Sequence, residues 1–389
     1  MKQEAIINKR GVERVRRSGH LWIYRSDVVN TADASGGAVV RVRDERGQFV
    51  GQALYSDRSE ISLRILTLRD EAINREWWRA RLREAMRRRE GFKTGTNAYR
   101  LVFSEGDLLP SLIVDVYADV FVLQTLSQAT DALKEMFVTL LVEEFAARAV
   151  IERNDVRVRE LEGLEMRAGL LYGGAPGEFE IEQDGVRFLV APLGGQKTGS
   201  FLDQRENRLA ARTHAHGRAL DCFTFNGAFA LHLAPVCESV IGLDVSADAV
   251  AQATRNAELN GASNVEFREA NVFDALRDME AAGEHFDTIV LDPPAFAKNR
   301  ASVRAALRGY KEINLRAMKL LKPNGVLVTC TCSYHMGESD FLEIIADASR
   351  DARRRVQLVE KRTQSRDHPI LFGVPETYYL KCVIARMLD

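Results

Sequence analysis

Cysteine is scarce in this chain: five residues among 389, an odd number with no regular spacing and no CxxC pair. That excludes a disulfide framework and a cysteine-based zinc site, and it predicts reduced thiols, any of which can react. Long apolar runs are missing as well. The longest stretch without Asp, Glu, Lys or Arg runs from Cys222 to Cys237 and contains Asn226, His232 and Pro235. It falls short of the ~20 apolar residues of a membrane span, so no membrane partner is expected. The opening residues MKQEAIINKRGVERVRR hold charges throughout and no apolar core, which reads as no secretory signal and predicts a cytoplasmic protein. Only 9 prolines and 27 glycines are present, against 46% hydrophobic and 28% charged residues, so the chain is neither fibrous nor disordered. At roughly 100–200 residues per domain, its length predicts two or three domains, each with its own core.

What is present is unevenly distributed. Residues 1–90 hold 20 Lys+Arg against 13 Asp+Glu, a balance of +7, and the remaining residues hold 34 against 42, a balance of −8. A basic front on an acidic body points to a polyanion, nucleic acid being the commonest, with a merely solvated charged face as the alternative.

Between Ile6 and about Leu68, short alternating runs (VVRVRDERGQFVGQALY, then EISLRILTL) predict the strands of a small barrel or sheet, with Asp44, Glu45, Arg46 and Gly47 in one turn. Residues 74 to 90 predict a helix capped by Asn74, with Trp77, Leu82, Ala85 and Met86 at near-helical spacing. The β-rich runs YRLVF, SLIVDVY and VFVLQTL then precede an amphipathic helix over about 130–147. EFEIEQ and VRFLVAP flank Asp184-Gly185, a strong hairpin signal. These features predict three domains: 1–73, a small α+β middle domain over 74–185, and 186–389.

From about Arg218 the pattern changes to apolar strands alternating with helices: RALDC, SVIGLD, VEFRE, FDTIVLD and GVLVTCTC. Five strands separated by helices predict an α/β, mostly parallel, doubly wound sheet, and such sheets bind ligands beyond the carboxyl ends of their strands. Asp221, Asp244, Asn271, Asp292 and Cys332 are therefore the candidate site residues. The first strand runs into a loop containing Gly227, and the second ends at Asp244, where a carboxylate can accept from ribose hydroxyls. An NAD pyrophosphate would need G-x-G-x-x-G, and this loop supplies Gly227 alone. A nucleoside without phosphates, of which S-adenosylmethionine is the common one, fits better. The fourth strand ends in Asp292-Pro293-Pro294. Two prolines stiffen the backbone and remove two donors, leaving a rigid acceptor for a ring nitrogen or amino group. The fifth ends in Thr329-Cys330-Thr331-Cys332. Alternation puts both cysteines on one face, and Cys332 is the better nucleophile candidate because it lies nearer the ligand end.

The segments DCFTFNGAFA, VLDPPAFAK and TCTCSYHM, with GGQKTGSFLDQREN before them and GYKEINLRAMKLLKPNG among them, resemble the ribosomal RNA large-subunit methyltransferase I family across nearly the whole chain. The resemblance implies a class I methyltransferase Rossmann-like domain, an N-terminal PUA β-barrel that binds RNA (residues 1–73), and S-adenosylmethionine-dependent methylation of cytosine C5 in 23S ribosomal RNA. It also implies cofactor contacts from Gln204, Arg205, Phe223, Gly227, Asp244 and Asn271, beside the Asp221 and Asp292 already singled out, and it puts the nucleophile at Cys332. Asn271 departs from the family's usual Asp, and Asn226 stands where Thr or Ser is usual. In the mechanism implied, Cys332 adds to C6 of the ring and Asp292 holds the N3/N4 edge. Arg10, Arg14, Arg16, Arg17 and Arg25 are expected at RNA phosphates, His20 and Trp22 in the barrel's framework, and Phe296 or Tyr334 on the target base. Two rivals remain: a nitrogen methyltransferase that needs no thiol, and an RNA-binding protein without catalysis. A monomer and a homodimer both stay open.

Overall fold

The computed structural model describes residues 3–194, 200–296 and 303–389. The chain forms two compact units, one made of Met1–Ile181, Val190–Leu202 and Arg366–Thr377, the other of Glu182–Leu189, Asp203–Ser365 and Tyr378–Asp389.

The first unit begins with β1 (Glu4–Ile7), α1 (Lys9–Arg16), β2 (Trp22–Tyr24), β3 (Val28–Asn30), β4 (Val39–Asp44), β5 (Phe49–Tyr55) and β6 (Ile61–Thr67). The strands make one six-stranded sheet in the order β2-β6-β5-β4-β1-β3. Its core comes from alternating positions, Ala5 and Ile7, Val40 and Val42, Leu63 and Ile65. The β4–β5 turn falls where the sequence predicts it: the Asp44 carboxylate accepts from the Arg46 and Gln48 amides, and Gly47 takes φ 79°. Helix α2 (Arg75–Arg89) starts at Asn74, whose side chain accepts from the Trp77 amide. Its buried face is Trp78, Leu82, Ala85 and Arg89, so Leu82 and Ala85 are buried as predicted, while Trp78 takes the fully buried place expected for Trp77, and Trp77 and Met86 pack half-buried against the same core.

A second sheet follows, with β7 (Ala98–Phe103), β8 (Leu112–Tyr117), β9 (Val120–Thr125), helices α3 (Gln128–Ala132) and α4 (Lys134–Phe145), β10 (Ala149–Arg153) and β11 (Ala168–Gly173), in the order β11-β10-β9-β8-β7. Then β12 (Phe179–Gln183) and β13 (Val186–Val190) pair across Asp184 (φ 54°) and Gly185 (φ 85°), the two left-handed residues that a tight hairpin turn requires.

The second unit is built on α5 (Arg205–His214), β14 (Arg218–Cys222), α6 (Ala228–Leu233), β15 (Ser239–Asp244), α7 (Ala247–Asn260), β16 (Val265–Glu269), α8 (Val272–Ala281), β17 (Phe286–Leu291), α9 (Val303–Leu320), β18 (Leu321–Thr331), α10 (Glu338–Ala352), β19 (Val356–Thr363) and β20 (Lys381–Met387). Its seven-stranded sheet has the order β16-β15-β14-β17-β18-β20-β19. β14 through β18 are parallel; β20 runs antiparallel to both β18 and β19. The sequence reading predicts the five parallel strands and misses the last two. β19 is a largely exposed edge that reads VQLVEKRT with no clean alternation, and β20 has neighbours on both sides. The strand order reverses between β14 and β17, so the carboxyl ends of these two strands flank the crevice where doubly wound sheets hold ligands.

Candidate active site

The chain leaves β14 through a loop held in left-handed conformations at Phe223 (φ 65°), Phe225 (φ 50°) and Gly227 (φ 82°). Asp221 fastens this loop from below. One of its carboxylate oxygens accepts from the Thr224 hydroxyl at 2.6 Å and from the Ala230 amide, in the first turn of α6, at 2.9 Å. Its other oxygen, Oδ1, is buried without a partner among the described residues, and the residue is only 1% exposed. Burial pushes the Asp221 carboxyl up to about 7. Asp244, at the end of β15, accepts from the Phe225 amide at 2.9 Å and the Ser246 amide at 3.0 Å. Asn271 caps α8 by accepting from the Phe273 amide at 2.9 Å and is exposed.

Gly227 admits no side chain: a Cβ there would lie 2.7 Å from Phe267 Cζ and 3.2 Å from Ala253 Cβ. Gly227→Ala combines that clash with an unfavourable φ, so a cost of about 1–3 kcal/mol is expected from the strain alone. Thermal unfolding checks it, and a variant as stable as wild type would contradict the packing described.

Around the end of β17 the polar groups form a chain. Arg362 Nε donates to Asn207 Oδ1 at 3.0 Å, and Asn207 Nδ2 donates to the Thr363 carbonyl at 3.0 Å and to Gln204 Oε1 at 2.7 Å. Gln204 Nε2 in turn donates to Asp292 Oδ1 at 2.8 Å. A guanidinium can only donate and a carbonyl can only accept, so the Asn207 amide has one satisfactory orientation, and it fixes Gln204 with its amide nitrogen toward Asp292. Arg205, beside Gln204, points its guanidinium at Asp184, with bonds of 2.7 and 2.6 Å to the two carboxylate oxygens.

The structure separates the two candidate cysteines. Cys330 is fully buried opposite Cys382, whereas Cys332, one residue past the end of β18, is half-buried with Sγ 4.0 Å from the Pro293 carbonyl. Thr331 and Ser333, on either side of it, are tied to one phenol: Thr331 Oγ1 donates to Tyr310 Oη at 2.8 Å, and Ser333 Oγ lies 3.1 Å from that oxygen. Phe296 is half-buried against the core, its ring 4.6 Å from Tyr310, 5.9 Å from Phe273 and 6.3 Å from Phe223. Tyr334 is exposed, with its ring edge-on to His335. The GGQKTG part of the motif before Leu202 lies at residues 194–199, and all but Gly194 fall outside the described residues.

On α1, Arg10 and Arg14 both face the buried carboxylate of Asp27, Arg10 also bonding Ser26 Oγ at 2.8 Å. Arg16 donates to the Phe49 carbonyl at 2.8 Å, and Arg25 to the carbonyls of Asp57 and Ser59. Arg17 is exposed and lines a shallow depression of ≈ 450 Å³ with Arg10, Glu13, Arg14 and Ser18. His20 Nδ1 accepts from the Trp22 amide, and Trp22 Nε1 donates to Glu105 at 2.9 Å, so both serve the framework.

Two family models match this chain, a PUA-like domain over residues 6–68 and a methyltransferase domain over 213–371. Proteins named ribosomal RNA large subunit methyltransferase I match it end to end. That of Shewanella amazonensis is 40% identical over 388 residues, covering 97% of this chain and 98% of the relative. That of Tolumonas auensis is 40% identical over 379 residues, covering 95% and 96%. The chain belongs to the ribosomal RNA large subunit methyltransferase I family.

The fold agrees with that membership. A SAM-dependent methyltransferase from Streptococcus mutans superposes with a TM-score of 0.82 at 19% identity, covering 99% of this chain and all of that one. SMU.776, a methyltransferase complexed with SAH, gives 0.84 at 20% identity with the same coverage. The PUA-like match lies on β1 to β6 and the methyltransferase match on the sheet from β14 to β19. Within this family member, sequence reasoning missed Asn207, Arg362 and Tyr310. Asn207 sits in the quoted LDQREN segment and Tyr310 in GYKEIN; nothing in the sequence marks Arg362.

Proposed function

We propose that this family member methylates C5 of a cytosine in 23S ribosomal RNA, in the cytoplasm, with S-adenosylmethionine as donor and Cys332 as nucleophile. The observation that carries the reading is the exposure of its sulfur. Of five free cysteines four are buried, and the one that is not stands at the carboxyl end of β18, beside the Asp292-Pro293-Pro294 segment.

The residues present fit the cofactor. The unpartnered buried oxygen of Asp221 is an acceptor for its amino group and the Asp244 carboxylate for ribose hydroxyls, and Gly227 lets their shared loop pack tightly against Phe267 and Ala253. Asn271, Phe223, Gln204 and Asp292 complete the expected set; Arg205 would act through Asp184 and the hairpin turn. Bound there, the cofactor supplies an electrophilic methyl group. Cys332 thiolate adds to C6, which opens the C5–C6 double bond and makes C5 nucleophilic; after methylation C5 loses its proton and the C6–S bond breaks, returning the thiolate. Asp292, its Oδ1 held by Gln204, orients the N3/N4 edge. Arg17 and the outward nitrogens of Arg10, Arg14 and Arg16 offer charge to phosphates on the barrel over 1–73. We assign 74–185 to the middle domain and 186–389 to catalysis.

RNA containing 5-fluorocytidine tests the chemistry, because fluorine at C5 removes the proton whose loss releases the enzyme. A protein–RNA adduct that survives denaturation and maps to Cys332 is expected. Methylation of ordinary RNA at a ring or amino nitrogen, with no adduct, would favour the thiol-free alternative. Sedimentation of the complex decides between monomer and homodimer.

A pH dependence follows from Asp221. Its carboxyl stays protonated in the free protein up to about 7, well above the usual 3.8, because burial disfavours the charge. Between those values the folded state holds a proton that the unfolded chain has lost, so free-protein stability falls as pH rises through that window and is level above it. Cofactor binding that requires the carboxylate strengthens over the same rise, by about tenfold per pH unit below about pH 6, by less as neutrality is approached, and levels off above. Calorimetric titration at several pH values checks this; equal affinities from pH 5.5 to 8 would contradict it.

A further inference from the structure

Lys381 opens β20 and is paired across the sheet with Thr331, the last residue of β18 and the neighbour of Cys332. It is only 4% exposed, which is rare for a lysine without a carboxylate partner. No carboxylate lies within ion-pair distance of its ammonium among the described residues. Nζ is 3.4 Å from the Tyr379 carbonyl and 4.9 Å from the centre of the Tyr378 ring. The nearby acid, Glu338 on α10, is committed elsewhere, to Lys361 at 2.6 Å and to the Tyr378 hydroxyl at 2.7 Å. A buried, unpaired cation is costly, so a fold that keeps one beside a nucleophile candidate invites a functional account.

We propose that Lys381 activates Cys332: its ammonium stabilises the thiolate form of the sulfur that attacks the base. The step releases the thiol proton to solvent and needs no other reagent. Described groups near Cys332 include the Tyr310 phenol from α9, the Pro293 carbonyl just past β17, and Lys381 from β20. Of these Lys381 alone carries positive charge. Burial lowers its own pKa, while the charges of Glu338 and Cys332 pull it back up, which is the reciprocal of the effect proposed. Tyr310 is held neutral, its phenol raised by burial and by the Cys332 charge. Lys381 acts through Cys332 and not on the substrate, so it is a positioning residue in the electrostatic sense.

The inference rests on Cys332 being the nucleophile, but its test does not require RNA or cofactor. The other four cysteines are buried, so alkylation of the native full-length protein by iodoacetamide reports Cys332, and its rate against pH gives the thiol pKa. Lys381→Met keeps the volume and removes the charge, and Lys381→Arg keeps the charge. The Met variant is expected to titrate about one pH unit higher than wild type and to react about tenfold more slowly at neutral pH, with the Arg variant close to wild type. Superposable wild-type and Met curves would overturn the proposal, as would an Arg variant displaced as far as the Met variant. Adduct formation with fluorinated RNA separates the two readings. An adduct with an unmoved thiol pKa overturns only the role of Lys381, and a moved pKa with no adduct overturns only the cytosine chemistry.

Discussion

Cys332→Ala should lower methyl transfer by about a thousandfold or more while leaving cofactor affinity within about twofold of wild type, since removing a covalent nucleophile deletes a route and not merely a contact. Cys332 is half-buried, and the Pro293 carbonyl, 4.0 Å from its sulfur, is too distant to be a strong structural bond. Thr331 and Ser333 remain fixed through Tyr310 in the variant, so the strand exit keeps its course. The loss therefore belongs to chemistry and not to folding. Single-turnover rates with labelled cofactor, beside calorimetric cofactor binding, separate the two. A variant that methylates at the wild-type rate would remove the nucleophile from the mechanism, while Cys330→Ala, which changes a buried side chain opposite Cys382, should retain the chemistry.

The largest stability effect is expected at Arg89, the last residue of α2. Its side chain is 1% exposed and is surrounded by acceptors: Nε donates to the Arg100 carbonyl at 2.9 Å, and Nη2 to Asp107 Oδ2 at 2.6 Å and the Asp367 carbonyl at 2.7 Å. Asp107 is itself fully buried and also accepts from the Phe103 amide at 2.7 Å. Arg89→Ala would leave that carboxylate in the interior with only the partly exposed Arg88 as a cation, at 3.3 Å. Breaking a buried pair in this way costs about 3–5 kcal/mol, because the remaining charge keeps its desolvation penalty and loses its compensation. Changing both residues, Arg89→Met with Asp107→Leu, should cost less than the two single changes together. All three tryptophans, Trp22, Trp77 and Trp78, belong to this unit, so fluorescence-detected urea unfolding reads it. An unmoved midpoint in Arg89→Ala would refute the account.

Much of the fold was legible because its signals are local. Asp184-Gly185 demands a tight hairpin, Asp44 to Gly47 a turn, and Asn74 a helix start, and each forms as predicted. The parallel strands could be read from apolar runs separated by helices, and once a sheet is doubly wound, Asp221, Asp244, Asp292 and Cys332 must all come to one edge. The alternation of a central strand is hard to see in β20, which is buried along nearly all its length, and the edge strand β19 has none to read.

By itself the sequence determined the family, the two kinds of sheet, and the set of residues at the carboxyl edge, because hydrophobic period and turn chemistry act over a few residues. Only the tertiary structure decided what each of those side chains does with its polar atoms. It buries Cys330 and leaves Cys332 half-buried, binds Arg205 to Asp184, sets Phe296 among Phe223, Phe273 and Tyr310, leaves one oxygen of Asp221 without a partner among the described residues, and brings Lys381 beside Thr331. Burial and pairing depend on neighbours that are tens to more than a hundred residues away along the chain, and no local pattern encodes such distances.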